Sequence, residues 1–410
     1  MLKVNGARLW EQLMSLAEIG ATPAGGVRRV TLSEEDRIGR DWFVRKCEVL
    51  GCSVEVDPMG NLFARRDGKD NSLPAVMMGS HLDSQPTGGK YDGAYGVLAG
   101  LEVIETLNEA DIITDSPLEV VSWTNEEGAR FAPAMIGSGV FAGEFTLDYA
   151  YSRKDKDGVL LGDALNAIEY TGEAPLGRRR YAATFELHIE QGPILEAEQK
   201  SVGVVTGVQG IRWYDLVFAG QETHAGPSPM SYRRDPVRRA VAVLDKVYAL
   251  SDRYAPDARV TIGELNARPG VRNTVPGTLT VAVDLRHPDE QTLTAMDADL
   301  KIIASEVDEP FGVETHLDEV WYSPPVVFDP KCVDAVRNAV RKLEIPTREM
   351  VSGAGHDAVY VSRVAPTSMI FIPCKDGLSH NEAESIEHED ATNGANTLLH
   401  AVLDVAATPS

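Results

Sequence analysis

A chain of 410 residues with 43% hydrophobic and 25% charged residues has the make-up of an ordinary globular protein, which excludes collagen-like, coiled-coil and disordered architectures. This length over-extends a single core, so two domains are expected. The 62 acidic residues against 39 basic ones leave a net charge of -23, which repels phosphate backbones and anionic lipid, so neither nucleic acid nor membrane is an expected partner.

The opening residues carry Lys3, Arg8, Glu11 and Glu18, too many charges for a signal or spanning segment, so a cytoplasmic location is expected. Apolar spacing predicts helices over Leu9–Ile19 and Glu34–Leu50, with Ser33 as a start signal for the second. Pro74–Ser84 reads as a strand, followed by a Gly-rich loop and a helix over Gly96–Leu107; Pro117–Thr124 and Tyr181–Glu190 are further strands. The polar stretch Tyr151–Arg180 reads as a surface connection. Strands alternating with helices predict a mostly parallel sheet covered on both faces.

From Arg212 the order changes. Strand Arg212–Ala219, helix Asp235–Ser251, strands Arg259–Leu265 and Thr278–Arg286, helix Asp289–Val307 and strand Gly312–Val320 form a βαββαβ sequence, the ferredoxin-like order. A domain over residues 212–325 is therefore expected to interrupt a larger α/β/α domain made of 1–211 and 326–410, which resumes with helix Pro330–Leu343, strand Thr367–Pro373 and a last helix from Asp390.

Four histidines sit in Gly-containing, polar contexts at or beyond strand ends: His81 in GSHLDS, His188 in ELHIEQG, His356 in GAGHDA and His380 in GLSHNE. Open α/β sheets place their sites at the carboxyl ends of strands, so these can converge. Asp83, Asp92 and the pair Glu126–Glu127 accompany them. Imidazole with carboxylate and no thiolate suits Zn²⁺, Mn²⁺, Co²⁺ or Ni²⁺. Taken singly, each is an ordinary core histidine or surface acid; together they are a costly set of charges at a sheet edge without a cation. His356 and Asp357 read at most as supporting or substrate-contacting groups, and His287, His316, His388 and His400 as ordinary residues. Cys47, Cys52, Cys332 and Cys374 fit neither a disulfide framework nor a CxxC site and read as buried thiols.

The segments GSHLDSQPTGGKYDGAYGVLAGLE, TNEEGARFAPAMIGSGVFAG, ELHIEQGP, GQETHAGPSPMSYRRD, RNTVPG, DLRHP, SGAGHDA and GLSHNEAE together resemble the hydantoinase/carbamoylase amidohydrolases of the dinuclear M20-like metallopeptidase family. The likeness is colinear from about residue 5 to residue 405. It implies two divalent ions, one held by His81, Asp92 and His188 and the other by Asp92, Glu127 and His380, with Asp92 bridging. It further implies that Asp83 orients His81 and that Glu126 is the general base. His224 would stabilise the oxyanion, Asn273 and Arg286 grip a substrate carboxylate, and Gln191 and Gly355 complete the substrate contacts. The peptidases of the family carry an acid where this chain has His188, which favours an amidohydrolase. The implied reaction is hydrolysis of an N-carbamoyl-L-amino acid, with N-carbamoyl-β-alanine, allantoate or a dipeptide as the alternatives. A homodimer in which His224 and Asn273 serve the other subunit's site is implied as well. A binding protein that kept the fold and lost the chemistry is disfavoured because all five ligands and Glu126 are present.

Overall fold

The computed structural model describes residues 1–177, 179–305 and 312–407. The chain divides into two compact units, Met1–Gly207 with Val327–Ser410, and Val208–Val326.

The first unit opens with α1 (Gly6–Ala17) and α2 (Glu34–Val49), begun by the side chains of Asn5 and Ser33, which accept main-chain N–H groups of the first turn. Then follow β1 (Ser53–Val56), β2 (Leu62–Arg66), β3 (Ala75–His81), α3 (Ala94–Glu109), β4 (Leu118–Trp123) and three short helices, α4 (Ile136–Phe141), α5 (Leu147–Tyr151) and α6 (Leu161–Ala167). β5 (Tyr181–Ile189), α7 (Ile194–Ala197) and β6 (Val202–Val208) complete this leg. The stretch expected to be a surface connection is partly core: Leu161, Ala164 and Leu165 of α6, with Ile168, pack on Leu32, Met59, Phe131 and Ile136. Its few apolar residues, diluted by charges in the sequence, share one helix face.

The second unit comprises β7 (Gly210–Ala219), β8 (Thr223–His224), α8 (Pro236–Arg253), β9 (Arg259–Arg268), β10 (Thr274–Val275), β11 (Thr278–His287), α9 (Glu290–Ser305) and β12 (Glu314–Ser323). The last two residues of the helix predicted over Asp289–Val307 lie outside the described residues. Its main sheet runs β12-β7-β11-β9, antiparallel throughout, the order of a βαββαβ fold. Leu285, Val281 and Phe218 of the sheet bury against Val243 and Val247 of α8 and Leu293, Met296 and Leu300 of α9. β8 and β10 form a separate two-stranded patch in which Thr274 faces His224.

The chain re-enters the first unit with β13 (Val326–Val327), α10 (Pro330–Leu343), β14 (Thr347–Ser352), α11 (Ala358–Val361), β15 (Thr367–Ile372) and α12 (His388–Ala406). The large sheet runs β1-β2-β4-β3-β5-β15-β6-β13, with β14 also paired to β6. It is mixed: β4, β3, β5 and β15 are parallel, while β1, β2 and β6 pair antiparallel. Every residue of β3, β4 and β15 is buried, as strands covered on both faces require. Their carboxyl ends, with that of β5, place His81, the Asn125–Glu127 turn, His188 and the loop bearing His380 at one edge. Among the described residues no helix is long and apolar enough to cross a membrane.

Candidate metal centre

Two overlapping groups of side chains meet at that edge. His81, Asp92 and His188 form one and Asp92, Glu127 and His380 the other; within each, the potential ligand atoms lie within 4.8 Å of one another. Asp92 Oδ1 stands 3.1 Å from His188 Nε2 and 3.5 Å from His81 Nε2, and its Oδ2 stands 3.7 Å from His380 Nε2. Glu127 Oε2 is 3.1 Å from His380 Nε2. The adjacent Glu126 points the other way, its Oε2 3.4 Å from His81 Nε2. His81 and His188 are each 1% exposed, whereas the His380 side chain is 51% exposed.

Main-chain carbonyls fix the two buried rings. His81 Nδ1 lies 2.9 Å from the carbonyl oxygen of Asp83, and His188 Nδ1 lies 2.9 Å from that of Ile189. Each Nδ1 therefore carries a proton and donates it, leaving Nε2 of each ring facing Asp92. The Asp83 carboxylate, expected to orient His81, lies 3.7 Å from its ring, within ion-pair range, and also accepts the main-chain N–H groups of Glu126 and Glu127, each at 3.3 Å. A carboxylate two residues on lies on the right face, but the main-chain carbonyl sits closer and takes the ring proton.

The backbone here is unusually bent. Asn125, Gln191 and His380, each next to or at a functional side chain, have φ of 58°, 57° and 54°. Left-handed backbone costs a non-glycine residue free energy and concentrates where a site over-determines it. Gly93 follows Asp92 with φ 64°, and a Cβ there would stand 2.3 Å from the His81 ring, so only glycine fits.

Burial sets the electrostatics. It opposes charge on His81, yet Glu126, Asp92 and Asp83 outweigh it and hold that imidazole well above its ordinary range. His188 is likewise raised by Asp92 against its burial, while Asp92 is driven well down by His188 and His81 despite its own. Burial pushes Glu126 well up, His81 opposing and Asp357 adding to the rise, and pushes Asp83 up to about 7. Ring nitrogens and carboxylates thus converge so closely that, without a cation, protons taken up by the rings and by the buried acids must balance the charge. A divalent cation fits this donor set of nitrogen and oxygen.

Residues 77–404 match the family described as "Peptidase family M20/M25/M40". The chain belongs to the M20 peptidase family. Within it, the chain is 48% identical to an N-carbamoyl-L-amino-acid amidohydrolase of Rhizobium meliloti over 98% of this chain and 97% of that one. It is 34% identical to an allantoate amidohydrolase of Escherichia coli, covering 97% of each. A hydantoinase/carbamoylase-family amidase of Burkholderia multivorans superposes with a TM-score of 0.95 at 54% identity, covering 100% of both chains.

Around the M20 ligand groups lie further residues singled out in the sequence. Gln191 Nε2 donates to Asp92 Oδ2 at 2.9 Å, and its Oε1 is buried without a hydrogen-bond partner. His356 stacks edge-on against His188 with ring centroids 4.6 Å apart, and burial holds it well below the usual imidazole range. Asp357 is buried, accepts a hydrogen bond from Ser138 Oγ at 2.5 Å, and leaves Oδ2 unpartnered. Gly355 is half-buried beside them, where a Cβ would meet the Met135 side chain at 3.1 Å. Cys374 is buried and belongs to neither ligand group.

The remaining expected site residues lie in the second unit. His224 and Asn273 are exposed neighbours: Ala225 N donates to the Asn273 carbonyl at 2.8 Å, and His224 Nδ1 accepts from Gly226 N at 3.1 Å. Arg286, expected to hold a carboxylate of the substrate, holds one of its own chain. Its Nε and Nη2 donate to the two oxygens of Asp284 at 2.9 and 2.8 Å, and Trp213 Nε1 donates to Asp284 Oδ2 at 2.9 Å. Residues two apart on a strand share a face, which is why DLR forms this pair. Two residues that touch Asp92 escaped the motif reading although GLSHNEAE contains both. Ser379 Oγ donates to Asp92 Oδ2 at 2.5 Å, and buried Glu384 accepts the main-chain N–H of Asp92 at 3.1 Å.

Proposed function

We propose that the protein is an N-carbamoyl-L-amino-acid amidohydrolase, hydrolysing R-NH-CO-NH₂ with one water to the amino acid, ammonia and CO₂. The observation that carries this is the 48% identity over nearly the whole of both chains to an enzyme of that name, joined to a site in which Asp92 serves both ligand groups. His81, Asp92 and His188 would hold one divalent ion and Asp92, Glu127 and His380 the other, drawn from Zn²⁺, Mn²⁺, Co²⁺ and Ni²⁺. Such ions polarise a carbonyl oxygen and lower the pKa of water.

The chain's own groups do the rest. Glu126 is 8% exposed, and its burial raises its proton affinity, so it can take a proton from the attacking water and return it to the leaving nitrogen. Asp83 holds the Glu126–Glu127 turn by its amides, which aims one carboxylate at each side of the site. Gln191 would meet the ureido group with the amide oxygen that lacks a partner. Gly355 leaves room for substrate. His224 would stabilise the oxyanion, and Asn273 and Arg286 would bind the substrate carboxylate, Asp284 fixing the guanidinium plane. A homodimer in which His224 and Asn273 serve the partner's site belongs to the same proposal.

A screen for ammonia release decides between substrates. N-carbamoyl-L-α-amino acids are expected to turn over fastest, ahead of N-carbamoyl-β-alanine and allantoate, while dipeptides release no ammonia. Faster turnover of allantoate or N-carbamoyl-β-alanine would reassign the substrate. Cleavage of dipeptides alone would make the protein a peptidase.

A further inference from the structure

Glu384 belongs to neither ligand group, yet it is buried under the loop that carries Asp92. Its Oε1 accepts the main-chain N–H groups of Tyr91 at 2.9 Å and Asp92 at 3.1 Å. Its Oε2 is buried with no hydrogen-bond partner. The fit is close: a Cβ on Gly89 would stand 2.0 Å from the carboxylate carbon. The segment that supplies Glu384 also supplies His380, and Ser379, whose hydroxyl donates to Asp92 Oδ2 at 2.5 Å. One loop therefore grips Asp92 at both its main chain and its side chain.

A carboxylate buried with one oxygen unpaired is poorly repaid in stability. Its two amide bonds have a positional effect instead. They fix where the Asp92 backbone sits, and so where both carboxylate oxygens point, in a site whose ligands must be held to about 0.5 Å. We propose that Glu384 is a positioning residue of the metal centre, holding the shared Asp92 at the spacing both ligand groups need and tying the His380 loop to the Asp92 loop. This rests on the two-ion reading above.

The test uses the full-length chain stripped of metal and titrated with Co²⁺, followed by calorimetry and by visible absorption of the bound ion. Glu384→Ala, folded by far-UV circular dichroism, is expected to bind Co²⁺ roughly 10- to 100-fold more weakly, with altered absorption bands. Glu384→Gln keeps an acceptor for both amides and is expected to restore affinity to within a few-fold. Gly89→Ala displaces the carboxylate without removing it; it is expected to weaken binding too and stands in if Glu384→Ala does not fold. Wild-type affinity and spectrum in folded Glu384→Ala, or in its stand-in, overturns the proposal. So does an equal loss in Glu384→Gln, which would make the charge, not the grip, the cause. A wild-type chain that takes up no Co²⁺ removes the two-ion reading and this one with it. Normal uptake without ammonia release removes only the substrate assignment.

Discussion

The two units hold their functional groups in opposite ways. In the first, His81, His188 and Asp92 are buried, each ring is pinned by a carbonyl, and the surrounding acids are pushed away from their ordinary proton affinities. In the second, His224 is exposed on a two-residue ladder with Asn273 exposed beside it, and Arg286 is half-buried and occupied by Asp284. The groups proposed to hold a cation are mostly built into the core, where misplacement is costly, His380 being the half-exposed exception. Those proposed to meet a changing substrate are left more exposed, where adjustment costs less.

That contrast predicts a ranking of effects. Removing metal with a chelator should abolish ammonia release entirely, and Mn²⁺, Co²⁺, Ni²⁺ or Zn²⁺ should restore it; full activity in persistent chelator would break the contrast at its stronger end. Glu126→Gln keeps size and hydrogen bonding but cannot accept a proton, so turnover should fall roughly 10²- to 10⁴-fold with metal content by elemental analysis unchanged. Arg286→Ala should weaken kcat/KM by about 2 kcal/mol, the low end for a charged partner because the site is half-exposed, and Arg286→Lys should recover only part of it. Metal content should be untouched in both Arg286 variants, and a loss of metal there would show that the units do not divide the work in this way.

The smallest effect sharpens the comparison within the centre itself. The hydrogen bond that protonated His380 donates to Glu127, opposed by burial, raises the proton affinity of His380 above its ordinary value. Proton and metal compete for that nitrogen, so a raised pKa extends the competition upward in pH. Co²⁺ affinity at the Asp92, Glu127 and His380 group should rise as pH goes from about 6 to about 8, in titrations monitored by proton release. A flat profile would mean that His380 holds no ion.

The candidate ligands were legible in the sequence because they sit in short runs of small and polar residues at or beyond apolar strands, His81 and His188 at the ends of β3 and β5 and Asp92 and His380 in the loops that follow β3 and β15. The βαββαβ order was legible from its alternation of periods. The outer strands of the large sheet were not, since β1, β2 and β14 are short or charged, as in LFARR and TREMVS. Nor were contacts that depend on main-chain atoms: the Asp83 carbonyl outcompetes its own carboxylate for His81, and Glu384 acts on an amide. Side-chain chemistry is written in residue names, but backbone donors and acceptors are the same at nearly every position.

Asp92 completes both ligand groups, and His380, the last residue of the second, follows the inserted unit in the chain. During synthesis, the first group of three is available once residue 188 has emerged, whereas the second must wait for the whole insertion to be made. The two ligand groups are thus completed in that order. A longer insertion lengthens that delay and a shorter one reduces it, neither touching a candidate ligand, so the part of the molecule proposed to meet the substrate can change in length while the two ligand groups stay fixed.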